Sequence, residues 1–491
     1  MALAGPPRLA RTVRLAAAGA IALAACSDST VSLAPVIDLP ITMDSDATAA
    51  PLDSITLSVA HAGSGADLVS HMFQSGQALE LPGAPFGDDL VVHMTGYVGE
   101  SIVGYGRTCT LNIAQGASPP APHLFFSRIT RFATIDAMPV ERISGLGIAY
   151  QGGALLLGGA ASDGTAVPEV ERFDPATGKI TSVGPVTART HPVDALLGLS
   201  PPRVIVLGGA SGMDGARFVE VVDAQGVEHQ DNGDMARVDL TATSLPDGRV
   251  AVIGGRSPSG GAPLGDIDIV AQQSDSSLVV RKIGASLAIP RSRHTATLLG
   301  DDVGAAVLIA GGLDATGMPV ATAELFKPLS EELSNPTLDP KGFHAPMVVP
   351  RSGHTAMLMP DGSVLIIGGF DALDQPVATL ELFSVDGGFV MAGMLPVGAG
   401  LVDFAATTLP DGRILITGGR QVRNGPAVTA AYIARLNSII GAVDVVATDH
   451  LAVARAGHQA VTLCDGTVLI SGGTTVPLPA ERYNPPPDGR R

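Results

Sequence analysis

The chain has 491 residues, of which 46% are hydrophobic and only 16% are charged, with 60 glycines, 37 prolines and no tryptophan. That hydrophobic content excludes a disordered chain, and a net charge of −17 without any run of lysine and arginine argues against a nucleic-acid partner. Short apolar runs between many glycines and prolines are typical of an all-β protein rich in turns.

Residues 1–25 have the features of an export signal. Three arginines precede an apolar run from Leu15 to Ala25, which is too short for a bilayer, since spanning needs roughly 20 residues. The run ends in Leu-Ala-Ala-Cys, which resembles the lipobox of bacterial lipoprotein signal peptides. The resemblance implies that Cys26 is lipidated and becomes the mature N-terminus, and Ser27 implies sorting to the outer membrane. An ordinary cleaved signal with an incidental Cys26 is the alternative.

Two further regions precede the repeats described below. Residues 26–52 are rich in Ser, Thr, Asp, Ala and Pro, and this composition predicts a flexible tether. Between residues 53 and 128, stretches such as Ile55–Val59 and Thr108–Ile113 alternate between apolar and polar residues. Alternation with a period of two indicates strands, and several short strands favour a small β-sandwich. This region resembles the immunoglobulin-like modules that often precede propellers in bacterial surface proteins.

The rest of the chain repeats. An apolar run ending in a pair of glycines occurs seven times, with the second glycine at Gly159, Gly209, Gly255, Gly312, Gly369, Gly419 and Gly473. Successive copies are 50, 46, 57, 57, 50 and 54 residues apart. This period is typical of a propeller blade of about 50 residues.

The residues around each glycine pair repeat as well. Arg-x-x-His begins at Arg291, Arg351 and Arg455, and a Pro-Asp-Gly hairpin turn follows in several units. After the glycine pair, an acidic residue lies two places before an aromatic one, as in Glu324 and Phe326. Together these residues resemble the Kelch repeat family, although the tryptophan common in the fourth strand of that family is missing.

The resemblance covers about residues 131–485 and implies a seven-bladed Kelch-type β-propeller over residues 129–486, with four antiparallel strands in each blade. The last unit stops at Pro485 after three strands, whereas Arg131–Ile135 precedes the first unit and has no blade of its own. We therefore expect this N-terminal segment to supply the missing strand and close the ring, which removes an exposed sheet edge. Residues 487–491 form a short tail.

Six of the seven units carry an arginine before the first strand and an acid in the third strand. The sixth unit has Leu401 in place of the arginine and no acid near Tyr432. This joint loss predicts that the two residues form an ion pair, because arginine binds carboxylates with two parallel hydrogen bonds. A ring of free arginines that binds anions is the alternative. The pairs can form within a unit or between neighbouring units, and the residues predicted to form them are Arg142, Glu171, Arg189, Glu220, Arg237, Asp268, Arg291, Glu324, Arg351, Glu381, Arg455 and Glu481.

Three histidines, His294, His354 and His458, recur at one position of the unit and raise the question of a metal site. Leu240 and Phe404 stand at that position in two other units. Because apolar residues replace the histidines, we expect this position to serve packing. No spacing in the sequence predicts a metal ion or another cofactor.

Apart from Cys26, the chain has two cysteines, Cys109 and Cys464. They lie in different predicted domains, so we expect two buried free thiols. A disulfide between them is the alternative, which an exported location permits.

The loops after the glycine pairs vary most in sequence and are expected to emerge together on one face, where propellers usually bind partners. The candidate binding residues in these loops are Asp163, Asp214, Arg256, Asp314, Asp371, Asp374, Arg420 and Arg423.

The architecture is also similar to galactose oxidase, but nothing in this chain resembles the tyrosine, histidine and cross-linked cysteine of its copper site. We expect a non-enzymatic, lipid-anchored protein of the cell envelope whose propeller binds a protein partner, with the lipid as its only contact with the membrane. A carbohydrate-binding surface protein is the first alternative, which an aromatic content of only 4% weakens. An enzyme of unknown type is the second.

Overall fold

The computed structural model describes residues 30–38, 52–74, 77–115, 121–210, 219–223, 226–230, 235–334, 346–396, 400–437, 439 and 441–487. These residues form strands and turns and contain no helix, so none of them offers a helix that could cross a membrane. The predicted signal peptide, Cys26, most of the predicted tether and the loop residue Asp214 lie outside the described residues.

Ten strands are described ahead of the repeats. They are β1 (Thr30–Leu33), β2 (Val36–Asp38), β3 (Ser54–His61), β4 (Asp67–Gln74), β5 (Leu81–Pro85), β6 (Gly87–Val98), β7 (Ser101–Arg107), β8 (Leu111–Ile113), β9 (His123–Phe125) and β10 (Ser127–Arg128).

These ten strands form the N-terminal unit. Its largest sheet has the order β10-β7-β6-β3-β4, with β8 also paired to β6. β1 pairs with β5, and β2 pairs with β9 in parallel. Alternate residues of the central strands, among them Leu57, Val59 and Val92, are fully buried in one apolar cluster.

The prediction of a flexible tether is wrong for residues 30–38, because β1 and β2 belong to the N-terminal unit. Leu33 is fully buried in the same apolar cluster, and Val31 and Ile37 pack against it. The reason is the alternation of apolar residues in this short segment, which gives it an apolar face that the sheet can cover. The Ser and Thr content of the wider region hides this alternation.

The other strands are numbered in chain order. They are β11 (Arg131–Thr134); β12 (Leu146–Tyr150), β13 (Gly153–Leu157), β14 (Glu169–Asp174) and β15 (Lys179–Pro185); β16 (Val193–Leu197), β17 (Arg203–Leu207), β18 (Val219–Asp223) and β19 (Gly226–Gln230); β20 (Thr241–Ser244), β21 (Val250–Ile253), β22 (Asp266–Gln272) and β23 (Leu278–Ser286); β24 (Thr295–Leu298), β25 (Val307–Ala310), β26 (Ala323–Lys327) and β27 (Glu332–Ser334); β28 (Thr355–Leu358), β29 (Val364–Ile367), β30 (Thr379–Ser384) and β31 (Gly388–Met394); β32 (Ala405–Thr408), β33 (Ile414–Thr417), β34 (Ala431–Asn437) and β35 (Ala442–Ala447); and β36 (His458–Thr462), β37 (Val468–Gly472) and β38 (Glu481–Asn484).

Within the described residues, these strands form seven antiparallel sheets of four strands. We call them the first to seventh sheets in chain order, starting at β12. In the seventh sheet, β36 is counted as the first strand and β37 as the second. The second strand of each sheet, which ends at the glycine pair, is rich in Val, Ile and Leu and is almost wholly buried. The first strand of each sheet contacts the first strand of the next, and β36 contacts β12. These contacts close a cycle, which is consistent with a β-propeller-like fold.

The seventh sheet contains both ends of the repeat region. Its strand order is β11-β38-β37-β36, so β11 takes the outer position beside β38. In this pairing Phe132 lies opposite Tyr483, and the two ring centroids are 4.8 Å apart. One sheet therefore joins residues that are about 350 positions apart in the chain.

Cys109 and Cys464 form a disulfide, so the expectation of two free thiols is wrong. Cys464 lies in the hairpin between β36 and β37, and the N-terminal unit docks against this hairpin. Arg107 donates a hydrogen bond of 3.0 Å to the carbonyl oxygen of Cys464. The docking brings the two Cα atoms to 5.1 Å, a separation that suits a disulfide.

Two residues of β38 complete the contact between the N-terminal unit and the seventh sheet. Arg482 forms a buried ion pair with Asp465, and its guanidinium carbon lies 3.9 Å from the ring centroid of Phe125. The side-chain amide of Asn484 donates to the carbonyl oxygens of Tyr105, at 2.7 Å, and Ser127, at 2.9 Å. These contacts hold the N-terminal unit on the side of the ring opposite the loops that follow the glycine pairs.

Candidate functional site

Each arginine of the six predicted pairs contacts the predicted acid of its own sheet, and all twelve side chains are buried. Burial lowers the pKa of Arg142, Arg189, Arg291 and Arg351, and the neighbouring carboxylate opposes this shift, so each guanidinium stays charged. The nitrogen–oxygen distances are 2.7 Å for Arg142–Glu171, 2.6 Å for Arg237–Asp268, 2.8 Å for Arg291–Glu324, 2.6 Å for Arg351–Glu381 and 3.0 Å for Arg455–Glu481, and Arg189 and Glu220 are paired as well.

The fifth sheet illustrates what these ion pairs do. The guanidinium of Arg351 also donates to the carbonyl oxygen of Gly368, the first glycine of the pair, at 3.3 Å. The carboxylate of Glu381 accepts hydrogen bonds from the backbone amides of Val348, at 2.8 Å, and Val349, at 3.1 Å. The pair therefore ties three segments of one sheet together. Its donors and acceptors are used inside the protein, which removes the alternative of an exposed anion-binding ring.

The second glycine of the pair connects neighbouring sheets. Its backbone amide donates to the carbonyl oxygen of the arginine in the next sheet, a close approach that its positive φ permits. Such bonds join Gly209 to Arg237 (2.8 Å), Gly255 to Arg291 (3.0 Å), Gly312 to Arg351 (3.0 Å), Gly419 to Arg455 (2.8 Å) and Gly473 to Arg142 (2.8 Å).

The sixth sheet replaces the ion pair by an apolar contact. Tyr432 lies opposite Ile416 in the register, which is the place that Glu381 takes opposite Ile366 in the fifth sheet. Tyr432 and Leu401 are buried in the same apolar cluster. An aromatic residue thus takes the position of the acid and a leucine that of the arginine, and both belong to one apolar cluster.

The three recurring histidines are packing residues. The Nε2 atoms of His294, His354 and His458 lie 3.1, 2.9 and 2.8 Å from a threonine hydroxyl of the preceding sheet, and each ring covers the first glycine of that sheet's pair. Burial, helped by the neighbouring arginine, lowers the pKa of each to about 3. The histidines are therefore neutral, and each contacts a threonine where its sheet packs against the preceding one.

The predicted binding residues other than Asp214 lie on the face where the loops after the glycine pairs emerge. This surface, which we call the loop face, includes three aspartates that organise their own loops. Asp163 accepts a hydrogen bond from the amide of Thr165, Asp314 from that of Thr316 and Asp371 from that of Leu373, at 2.8, 2.8 and 2.9 Å. The amide of Thr165 lowers the pKa of Asp163, and the side-chain hydroxyl of Thr316, helped by the backbone amides of its loop, lowers the pKa of Asp314.

The predicted arginines of the loop face each have an acidic neighbour. Arg256 contacts Asp239 at 2.8 Å, and Arg420 contacts Asp403 at 3.3 Å. Arg423 pairs with Asp374 across two adjacent loops. The structure thus brings Asp374 and Arg423 together, whereas Asp163, Arg256 and Asp314 each lie in a separate loop.

Apolar side chains at the loop tips are a feature that the sequence interpretation missed. Four consecutive sheets, the fourth to the seventh, each expose one: Met318 (49% exposed), Leu373 (78%), Val422 (55%) and Val476 (53%). Each lies within seven residues of a glycine pair. That proximity is the signal that could have revealed them, because it assigns all four to the same face. We call these four residues the apolar crescent.

A second missed feature surrounds the centre of the loop face. One residue just before the first strand of every sheet has a left-handed backbone, with φ between 51° and 66°. Only two of the seven are glycine, although this conformation disfavours other residues. They are Ser144, His191, Asp239, Arg293, Gly353, Asp403 and Gly457.

Backbone hydrogen bonds connect neighbouring members of this set of seven residues with a left-handed backbone. The amide of Arg293 donates to the carbonyl oxygen of Asp239, and that of Gly353 donates to Arg293, each at 2.9 Å. The amide of Ser144 donates to Gly457 at 2.7 Å. The shared conformation is therefore part of how neighbouring sheets are joined. It also places the side chains of its five non-glycine members at the entrance to the ring of sheets.

Phe370 lies beside this entrance and is only 6% exposed. The guanidinium carbon of Arg423 lies 4.1 Å from its ring centroid, and that of Arg293 lies 5.9 Å away. Both distances are within the range of a cation–π contact. Phe370 thus brings two guanidinium groups of different sheets to one place on the loop face.

Among the described residues, no three histidine, cysteine or acidic side chains come together as a metal site would require. No protein-family model matches this chain. No curated protein matches it either.

Proposed function

We propose that this chain is an exported lipoprotein of the cell envelope, anchored through Cys26 in the outer membrane. Its repeat region is a seven-bladed Kelch-type β-propeller, and its N-terminal unit is an immunoglobulin-like module. The propeller binds a protein partner through the loop face and catalyses no reaction.

The apolar crescent is the observation that carries the proposal. Exposed apolar side chains among polar residues are a common feature of protein–protein interfaces, and here four successive loops of one face each expose one. Leu373 and Val422 lie in adjacent loops that the ion pair between Asp374 and Arg423 holds together. A partner that covers these side chains removes apolar surface from water, which contributes roughly 25 cal/mol per Å².

The position of the N-terminal unit supports the choice of face. This unit covers the hairpin side of the seventh sheet through Arg107, the Cys109–Cys464 disulfide and Asn484. The loop face lies at the opposite ends of the strands, and none of these contacts reaches it. Carbohydrate binding has less support, because a sugar would need an exposed aromatic face, whereas Arg423 covers the buried ring of Phe370.

The test is capture of envelope proteins by the mature chain and by variants of equal stability. We expect the double variant Leu373→Asp, Val422→Asp to lose at least about 90% of the captured partner, since it buries two charges in the interface. Leu199→Asp is the matched control, because Leu199 is 69% exposed on a hairpin of the opposite face. Equal capture by the double variant and the wild type, or equal loss in both variants, contradicts the proposed face. Specific binding to a glycan array favours the carbohydrate alternative.

A further inference from the structure

Arg293 occupies a backbone conformation that favours glycine. Its φ is 55°, and the corresponding residues of the fifth and seventh sheets are Gly353 and Gly457. Glycine adopts this conformation without steric cost. Arg293 carries the longest side chain of the seven residues that share this conformation. Strained residues concentrate at functional sites, which indicates a use for this side chain.

The absence of a side chain at Gly353 makes room for the guanidinium group of Arg293. A Cβ atom at Gly353 would lie 3.0 Å from Nη2 of Arg293. The arginine therefore lies across its neighbour towards Phe370, at the entrance to the ring. The side chain is half-buried, and no acidic side chain among the described residues forms an ion pair with it.

Only one of the two guanidinium groups at Phe370 has an ion-pair partner. Arg293 and Arg423 both approach this ring, and Asp374 pairs with Arg423. Among the described residues no acid forms an ion pair with Arg293, whose side chain is partly shielded from water. A singly charged anion at Arg293 would supply such a partner, and electrostatic attraction is stronger in such a partly buried place than in open solvent.

We propose that Arg293 is a binding site for a carboxylate group of the protein partner. The planar guanidinium group suits a carboxylate, which it binds with two parallel hydrogen bonds. Leu373 and Val422 belong to the loops that carry Asp374 and Arg423. The partner segment therefore presents an acidic side chain to Arg293 and apolar side chains to the crescent. This inference rests on the proposed protein-binding function and identifies the anchor of the same face.

Fluorescence anisotropy with a labelled (Glu-Leu)3 peptide and the full mature chain tests the site. We expect measurable binding that falls at least about tenfold with a (Gln-Leu)3 peptide, since a charged hydrogen-bonded pair is worth more than about 1.4 kcal/mol, which is tenfold in affinity. Failure of the wild type to bind the glutamate peptide, or equal binding of both peptides, overturns the inference. Stronger competition by inorganic phosphate than by acetate overturns the choice of a carboxylate.

The variant Arg293→Gly separates binding from structure. It reproduces the residue of the fifth and seventh sheets, so the melting temperature should stay unchanged or rise because backbone strain is relieved. Affinity for the glutamate peptide should fall at least about tenfold. Arg281→Ala, on the outer strand β23, is the control and should bind normally. Unchanged affinity in Arg293→Gly, or a lower melting temperature, contradicts the inference.

Capture of the partner distinguishes this inference from the proposed function. If Leu373→Asp, Val422→Asp loses the partner and Arg293→Gly retains it, the loop face binds protein but Arg293 is not its anchor. If the wild type captures no partner yet binds the glutamate peptide through Arg293, the carboxylate site stands and the proposed function fails.

Discussion

The backbone amide of Gly473 donates a hydrogen bond of 2.8 Å to the carbonyl oxygen of Arg142. This bond joins the last glycine pair of the chain to the first arginine of the repeats, and so connects the seventh sheet to the first. It has the same form as the bonds between sheets that follow each other in sequence. The seventh and first sheets are therefore joined by the same kind of glycine–arginine backbone hydrogen bond that joins other neighbouring sheets.

Loss of one member of a buried ion pair should destabilise the protein more than replacement of both members together. Glu381→Gln leaves the buried guanidinium of Arg351 without its counter-charge, and we expect a loss of about 3–5 kcal/mol in the free energy of unfolding. The double variant Arg351→Leu, Glu381→Tyr copies Leu401 and Tyr432 of the sixth sheet and should be more stable than Glu381→Gln. Urea denaturation measures both. A double variant less stable than Glu381→Gln contradicts this interpretation.

The second glycine of each pair should matter through close approach as well as through conformation. Gly473 and Gly317 have φ angles of 72° and 79°. A Cβ atom at Gly473 would lie 2.6 Å from Cβ of His458, whereas one at Gly317 would meet nothing within 4 Å. Gly317→Ala should therefore cost only the conformational penalty, about 1 kcal/mol. Gly473→Ala should cost about 1–3 kcal/mol more, because it overpacks the contact with the first strand of its own sheet. Equal unfolding free energies of the two variants would show that close approach contributes nothing.

The buried histidines should make the protein sensitive to acid. The pKa of His354 is about 3 in the folded protein, so the unfolded chain takes up the proton first as the pH falls below the ordinary value near 6.5. The stability that this residue contributes is complete above that value and falls by about 1.4 kcal/mol per pH unit between the two pKa values.

The variant His354→Phe, which copies Phe404 of the sixth sheet, removes this titration. Between pH 7.5 and pH 4 it should lose about 3 kcal/mol less stability than the wild type. Loss of the contact with Thr295 affects both pH values alike, so the difference between them reports the titration. Unfolding midpoints measured across this range provide the check, and parallel pH profiles for the two proteins would refute the assignment.

The Cys109–Cys464 disulfide should fasten the N-terminal unit to the ring. The unreduced protein should resist alkylation at both cysteines, and Cys109→Ser, Cys464→Ser should be less stable by about 2–4 kcal/mol. Limited proteolysis should release the N-terminal unit faster from this variant, since only non-covalent contacts such as Arg107 to Cys464 and Asn484 to Tyr105 hold it. Ready alkylation of the native protein at both positions would disprove the bond.

Local sequence signals were sufficient for much of the repeat region. The joint loss of arginine and acid in the sixth unit was enough to infer the ion pairs, since two residues that depend on each other disappear together. Phe404 stands in the sixth unit where His354 stands in the fifth, and this was enough to infer that the position serves packing. The disulfide was not accessible in this way, because the docking of one unit on a distant hairpin leaves no trace in the spacing of Cys109 and Cys464.

Periodicity and residues that recur within each unit are enough to predict the repeating strands, the glycine pairs and the residues of the buried ion pairs. The folded structure was needed to show that residues 30–38 join the N-terminal unit, that Arg482 pairs with Asp465 at the junction, and that Arg293 and Arg423 both approach Phe370. Such relationships arise when separate sheets and units are brought together in space. Their physical basis is contact between surfaces, which no single unit of the sequence contains.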